Sequence, residues 1–273
     1  MKISLLTLVY KRRPAILNML RGLSEGSRLP DEVVIIHMNE PIYGLAEYPF
    51  PVKEYTLSSV DTLPLAHARN FAVQKASFDN MVFLDADCIP ATDFLEEYQN
   101  AFHTANTLFS GRVAYLPKAV MQKPDLLQVM AQYGIPDPVR GGVDQYPYQL
   151  FWSLNFGCSK TTYTKIGGFD EDFSGYGAED TDFGFSANKQ QVDLLTINAM
   201  AYHQYHPSYD PPLNHLEAIV KNAVKFNAKW QTWPMEGWLN KFCAMGYTRF
   251  EDGQLQILRL PGADEIAAAL KER

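Results

Sequence analysis

Three aspartate pairs separated by a single residue, Asp85/Asp87, Asp170/Asp172 and Asp180/Asp182, are where side-chain type and spacing first suggest chemistry. Paired carboxylates hold hard divalent cations, but the same spacing arises in any solvated turn or helix cap, so spacing does not choose among them. Context favours the first pair. Asp85-Ala86-Asp87 follows residues 81–84, a wholly apolar run that reads as a strand. Carboxylates there lie at the edge of a buried sheet, where uncompensated charge is costly and a bound cation stabilises it. Oxygen ligands suit Mg2+ or Mn2+, and one added imidazole shifts the preference toward Mn2+. His203, just beyond a strand expected to end at Met200, is the preferred imidazole. His206 is the alternative, or else a group that contacts phosphate or closes the site.

Glu179-Asp180 forms the second constellation. Gly175 and Gly177 allow close backbone approach just ahead of an expected helix, whose N-terminus stabilises ionised carboxylates. Plain N-capping would use the same acids. Here, however, Gly167, Gly168, Gly175 and Gly177 are interleaved with Phe169, Phe173 and Tyr176. Aromatic faces beside acids suit a sugar, whose C–H patches lie on rings while carboxylates accept its hydroxyl hydrogen bonds.

These groups need a scaffold. Short apolar runs at 3–10, 32–38, 52–57 and 81–84 alternate with helical patterns after Pro14 and over 65–76, which predicts βαβ units. Ligands of open α/β sheets bind outside the C-terminal strand ends, where Asp85 and Asp87 fall. A helix from Asp93, a strand over 108–115 and an irregular stretch over 133–148, a candidate mobile or acceptor-facing loop, are expected next. A strand over 151–158, a short helix ending at Gly167-Gly168, the helix opening with Glu179-Asp180 and a strand over 191–200 follow. Helices over 213–230 and 235–245, a strand over 254–260 and a short helix from Ala263 complete the chain. Trp230, Trp233 and Trp238 read as helix packing, with an acceptor platform or lid as the functional alternative.

Several segments carry a family resemblance: Leu8-Val9-Tyr10-Lys11-Arg12, Ala68-Arg69-Asn70, Phe83-Leu84-Asp85-Ala86-Asp87, and Gly167-Gly168-Phe169-Asp170 with Gly175-Tyr176-Gly177-Ala178-Glu179-Asp180. In this order, over about residues 1–210, they resemble GT-A fold glycosyltransferases, particularly the family-2 enzymes and the β-1,4-galactosyltransferase-like group. The resemblance implies an α/β, GT-A (Rossmann-like nucleotide-diphospho-sugar transferase) fold with a mixed, largely parallel central sheet and a helical C-terminal extension. Residues 1–115 would form the donor half, 116–210 the acceptor-binding and catalytic half of the same domain, and 211–273 the extension. Val9, Tyr10, Lys11, Arg12, Asn39, Arg69, Asp85, Ala86 and Asp87 would bind the nucleotide sugar. Asp87 and His203 would bind metal, with Asp85 weaker or through water. Trp152, Tyr176, Gly177, Glu179 and Asp180 would meet the acceptor, with Asp180 as general base and Glu179 holding the acceptor.

The implied activity is inverting, metal-dependent transfer of a hexose or N-acetylhexosamine from a nucleoside-diphosphate sugar, UDP-sugar preferred, to a saccharide hydroxyl. Two positions depart from the family. Tyr176 stands where a Trp is usual, and His37-Met38-Asn39-Glu40 replaces an acidic Asp-Asp-Gly-Ser segment, which leaves the base open.

Composition limits the alternatives. Lys+Arg 24 against Asp+Glu 31 gives a net charge of −7, which disfavours nucleic acid as a partner. Cys88, Cys158 and Cys243 are isolated, as in a reducing compartment, so a cytoplasmic location is expected. The apolar run 3–9 is short and is followed by Lys11, Arg12 and Arg13, the reverse of a signal peptide. No stretch approaches the ~20 apolar residues of a membrane span, so any membrane role would run through a partner complex or a peripheral surface. A nucleotidyltransferase is the rival enzyme, but Tyr10-Lys11-Arg12-Arg13-Pro14 lacks the glycines of a phosphate loop. A non-catalytic sugar-binding protein of the same fold is the other rival.

Overall fold

The apolar runs assemble into one nine-stranded sheet in a computed structural model that describes residues 1–45, 47–60 and 63–271. Its strands are β1 (Ile3–Val9), β2 (Glu32–Met38), β3 (Val52–Leu57), β4 (Asn80–Leu84), β5 (Cys88–Pro90), β6 (Thr107–Tyr115), β7 (Ile135–Pro136), β8 (Asn155–Ser159) and β9 (Asp193–His203). The order is β3-β2-β1-β4-β8-β6-β9-β5, with β7 paired to β6. Helices α1 (Arg13–Ser24), α2 (Leu65–Lys75), α3 (Phe94–Ala101), α4 (Leu126–Tyr133), α5 (Lys160–Ile166) and α6 (Glu179–Lys189) pack on it, and α7 (Leu216–Trp230) and α8 (Glu236–Ala244) share a separate C-terminal core.

β2 is buried at every position and β1 at all but Leu8, because both sheet faces are covered. Side chains alternate between faces: Val33 and Ile35 join Ile16, Leu20, Phe94 and Tyr98, whereas Val34 and Ile36 join Ala68, Ala72, Ile166 and Phe183. The sheet is mixed, and its parallel character is concentrated in β3, β2, β1 and β4. β8 runs antiparallel to both β4 and β6, and β5 antiparallel to β9. Periodicity could not foresee this, since a strand covered on both faces is equally apolar in either direction.

Several elements differ from the sequence expectation. α4 was not foreseen, and the loop expected over 133–148 is a built structure. β7 lies in it, and Asp137 Oδ1 accepts hydrogen bonds from the amides of Val139 and Arg140 at 2.9 and 2.8 Å. β8 starts at Asn155 instead of 151, and β9 runs on to His203. The C-terminal extension is not wholly helical. A hairpin pairs Thr248–Glu251 with Gln254–Ile257, and Ser208–Tyr209 pairs with Leu270–Lys271. α7 packs directly on the glycine-rich segment, with Phe226 against Phe173 and Ala178. No helix among the described residues is long and apolar enough to cross a membrane.

Candidate active site

The short strand β5 builds one side of the site. After β4 the chain turns through Asp85-Ala86-Asp87 and pairs with the end of β9, with Cys88 opposite His203. The Gln204 amide donates to the Asp87 carbonyl at 2.7 Å and closes this pairing. Residues far apart in sequence thereby converge. Asp87 Oδ1 lies 3.5 Å from His203 Nε2, and Asp87 Oδ2 lies 3.5 Å from His206 Nε2. One ligand atom from each of the three lies within 4.8 Å of the others. Both histidines therefore reach Asp87, so the sequence-level choice between them does not arise. His206 Nδ1 sits 2.9 Å from the Pro207 carbonyl; assigning the proton there leaves Nε2 as the free ligand atom facing Asp87. Burial holds the His206 imidazole below its ordinary pKa and favours that neutral form. One carboxylate oxygen and two imidazole nitrogens are a donor set that fits Mn2+.

Asp85 stands outside this trio. Burial first, then the charges of Asp87, Glu179 and Asp180, push its carboxyl up to about 7 against the opposing pull of Arg69. Asp87, Arg69, Glu179 and Asp180 thus all lie close enough to act on Asp85.

The other side is built on α2 and α6. Buried Arg69 donates from Nη1 to Glu179 Oε1 at 3.1 Å and lies over the Phe169 ring at 4.9 Å. Its guanidinium is thus committed to Glu179. Asn70 fixes the preceding turn: its Oδ1 accepts from the Phe169 amide at 3.0 Å and from the Tyr163 hydroxyl at 2.6 Å. Gly175, Gly177 and Ala178 all have positive φ, +78°, +99° and +72°, a backbone that brings α6 sharply into the cleft. A Cβ at Gly177 would sit 2.9 Å from Met235 Sδ. Asn222 of α7 clamps this loop, donating to the carbonyls of Ser174 at 3.1 Å and Gly177 at 2.8 Å. Asp180 then projects from the first turn of α6, its Oδ1 accepting from the Thr181 amide at 2.7 Å. Burial and the Glu179 charge push its carboxyl up to about 6, against Arg69 and backbone hydrogen bonds from Thr181 and Ser153.

The remaining carboxylates of the aspartate pairs are structural. Lys229 bridges Asp170 at 3.0 Å and Asp182 at 2.9 Å, Trp230 Nε1 donates to Asp182 at 2.7 Å, and Lys225 reaches Asp172 at 2.8 Å. Tyr176 stacks on His215 with ring centroids 4.6 Å apart, and Trp238 lies at 6.0 Å. Burial first, then the Glu179 and Asp180 charges, raise the pKa of the Tyr176 hydroxyl. Trp152 covers the buried Arg140 guanidinium at 4.3 Å.

Val9 at the end of β1 and Ala86 in the turn between β4 and β5 are buried in the core, leaving only their backbone to a ligand. Lys11 has φ +53°, its amide donates to Glu40 Oε2 at 2.8 Å, and its Nζ lies over the Tyr10 ring. The Arg12 charge reaches His206. Asn39 Oδ1 accepts from the Ser59 amide at 2.6 Å, so Asn39 ties the end of β2 to the segment after β3.

Sequence reasoning missed Asn222 and the group behind His203. The His203 ring packs on Tyr115 at 5.1 Å, and the Tyr115 hydroxyl donates to Asp137 at 3.3 Å. Asn222 did leave a signal, as the one polar residue among Ile219, Val220, Ala223 and Phe226 on the buried face of α7.

The chain is similar to known proteins in both sequence and fold. Residues 144–207 match the family described as the N-terminal domain of galactosyltransferase. The validoxylamine A glucosyltransferase of Streptomyces hygroscopicus subsp. jinggangensis is 44% identical over 83 residues, 30% of this chain and 19% of that protein. The match thus spans about a fifth of that relative's length. The structure of GalNAc-T7 with UDP, GalNAc and Mn2+ superposes with TM-score 0.59 at 12% identity, over 89% of this chain and 56% of that one. The mannosyltransferase PcManGT of Pyrobaculum calidifontis with GDP-Man and Mn2+ gives TM-score 0.56 at 15% identity, over 89% and 75%. The chain has the GT-A fold of glycosyltransferases, with a segment of the galactosyltransferase type at 144–207.

Proposed function

We propose that this chain is an inverting, metal-dependent glycosyltransferase that moves a hexose or N-acetylhexosamine from a nucleoside-diphosphate sugar, a UDP-sugar first, to a saccharide hydroxyl. The observation that carries this reading is that Asp87, grouped with His203 and His206 as a candidate metal trio, and Asp180 both lie close enough to act on Asp85, which brings the metal-ligand candidates and the base candidate into one neighbourhood. The relatives support it: the glucosyltransferase shares sequence with this chain, and the two transferases of similar fold hold nucleotides and Mn2+.

A divalent cation held by Asp87, His203 and His206 supplies charge neutralisation for a departing nucleoside diphosphate. Asp180 takes the proton of the acceptor hydroxyl as that oxygen attacks the anomeric carbon. The new C–O bond forms as the bond to the diphosphate breaks, and the anomeric configuration inverts. A carboxyl with pKa about 6 suits this role, since it is ionised at neutral pH yet basic enough to receive the proton. Glu179, fixed by Arg69, holds the start of α6 and the acceptor in place, and the Tyr176 face carries the acceptor ring. The opening loop, with the Lys11 and Arg12 charges, lies toward the nucleotide. Burial raises the thiol pKa of Cys88 and Cys158 and keeps them inert, consistent with work in a reducing compartment.

The test is transfer from a panel of UDP- and GDP-sugars to saccharide acceptors, with the product's anomeric configuration read by NMR. Asp180→Asn should slow turnover about 10²–10⁴-fold while leaving UDP binding intact. Turnover by Asp180→Asn at the wild-type rate, or retained configuration, would contradict the assignment.

A further inference from the structure

We propose that the C-terminal segment carries a second saccharide-binding site, separate from the carboxylate cleft, which holds a pyranose ring against Trp233 and Phe250. Between α7 and α8 the chain passes through Gln231 and Met235, both with positive φ, +56° and +52°. The connection so shaped sets Trp233 against Phe250 of the C-terminal hairpin, edge to face, with centroids 5.1 Å apart at 75°. These two rings, Leu239, Glu236 and Asn240 line a cavity of about 330 Å³, at the small end of the ~300–1,000 Å³ range of small-molecule sites.

The chemistry of the lining selects the ligand. Glu236 and Asn240 lie one helical turn apart on the same side of α8, about 6 Å along its axis. Both are exposed, and among the described residues neither is tied to another protein group. A carboxylate accepts two hydroxyl hydrogen bonds and an amide both donates and accepts, which matches neighbouring hydroxyls on a sugar. Phe250, 41% exposed, and Trp233 offer apolar surface to the C–H face of the ring. Among the described residues no cationic side chain lines the cavity, so a phosphate or nucleotide is disfavoured and a neutral saccharide fits. The same helix presents Trp238 to Tyr176 at the catalytic loop, so α8 touches both the acceptor side of the cleft and this cavity. A glycan retained here would be kept beside the site of transfer.

The test needs neither donor nor metal. The full chain is titrated with cellotetraose, maltotetraose and chitotetraose, and binding is followed by ligand-observed NMR. At least one should bind with a Kd of about 0.1–5 mM, and Trp233→Ala should weaken it at least about fivefold. The exposed pair Glu236→Ala with Asn240→Ala should weaken it similarly with an unchanged thermal transition, which separates lost contacts from lost folding. UDP binding should be unaffected in both variants. Failure of all three sugars to bind, or binding unchanged in both variants, overturns the proposal. So does binding lost on Tyr176→Ala alone, which would assign the sugar to the cleft. Failure of the transferase reading would appear separately, as absent turnover.

Discussion

At the scale of single residues, the same acid type performs different tasks according to what surrounds it. Asp170, Asp172 and Asp182 are paired with Lys225, Lys229 and the Trp230 indole, whereas Asp180 has no lysine partner among the described residues and is offset by the Arg69 charge and the backbone hydrogen bonds of Thr181 and Ser153. As a base, Asp180 must be ionised, and its folded pKa of about 6 lies above the ordinary carboxyl value. Activity should therefore rise as pH climbs through about 6 and level off above it. A pH profile of kcat/KM measures this. Glu179→Gln removes the adjacent like charge and should move that limb down by about one unit. The sequence made Asp85-Ala86-Asp87 legible through the apolar strand before it. It did not reveal that His206 joins His203, because that depends on the β5–β9 register. Nor did it reveal the lysines that occupy the other acids, because α7 is more than forty residues away in sequence.

At the scale of elements, the loop ahead of α6 is held in a left-handed path by glycines and by one side chain from α7. Asn222→Leu removes all the hydrogen bonds that Asn222 donates to the loop carbonyls of Ser174, Tyr176 and Gly177. It should raise acceptor KM and lower kcat by about tenfold combined, with UDP affinity unchanged and stability reduced by about 1–2 kcal/mol. Steady-state kinetics with each substrate varied in turn, alongside urea unfolding, checks the prediction. β2 was readable because of its apolar, β-branched run over 33–36, and β3 because Val52, Tyr55, Thr56 and Leu57 are residues that favour strands. β5, three residues long, was hidden, since no periodicity survives at that length. The Thr248–Ile257 hairpin was half read, since a strand over 254–260 is expected from the sequence but its partner at Thr248–Glu251 is not. Its Asp252-Gly253 turn, with φ of +50° and +74°, is the strongest short-range hairpin signal a sequence offers.

At the scale of the whole molecule, the cleft crowds four carboxylates around one arginine, and without a cation that arrangement opposes folding. The folded pKa values of Asp85 and Asp180, about 7 and about 6, exceed the unfolded value of ~3.9. The stability linked to these raised groups is fully present below about pH 4 and is lost as pH rises through 6 to 7. Relative to wild type, metal-free Asp180→Asn should therefore gain about 1–3 kcal/mol of stability between pH 4 and pH 7, read by chemical unfolding at both values. The central claim is that Asp87 with its two histidines holds the cation that pairs with a nucleotide diphosphate. Thermal unfolding with UDP or GDP, each with and without Mn2+, in wild type and Asp87→Ala, tests it most directly. The account predicts that one nucleotide with Mn2+ together raises the wild-type transition by about 5 °C at a hundredfold excess over Kd, and that the gain is lost in Asp87→Ala. No metal-linked stabilisation of the wild type by either nucleotide, or an equal gain in the variant, would contradict it.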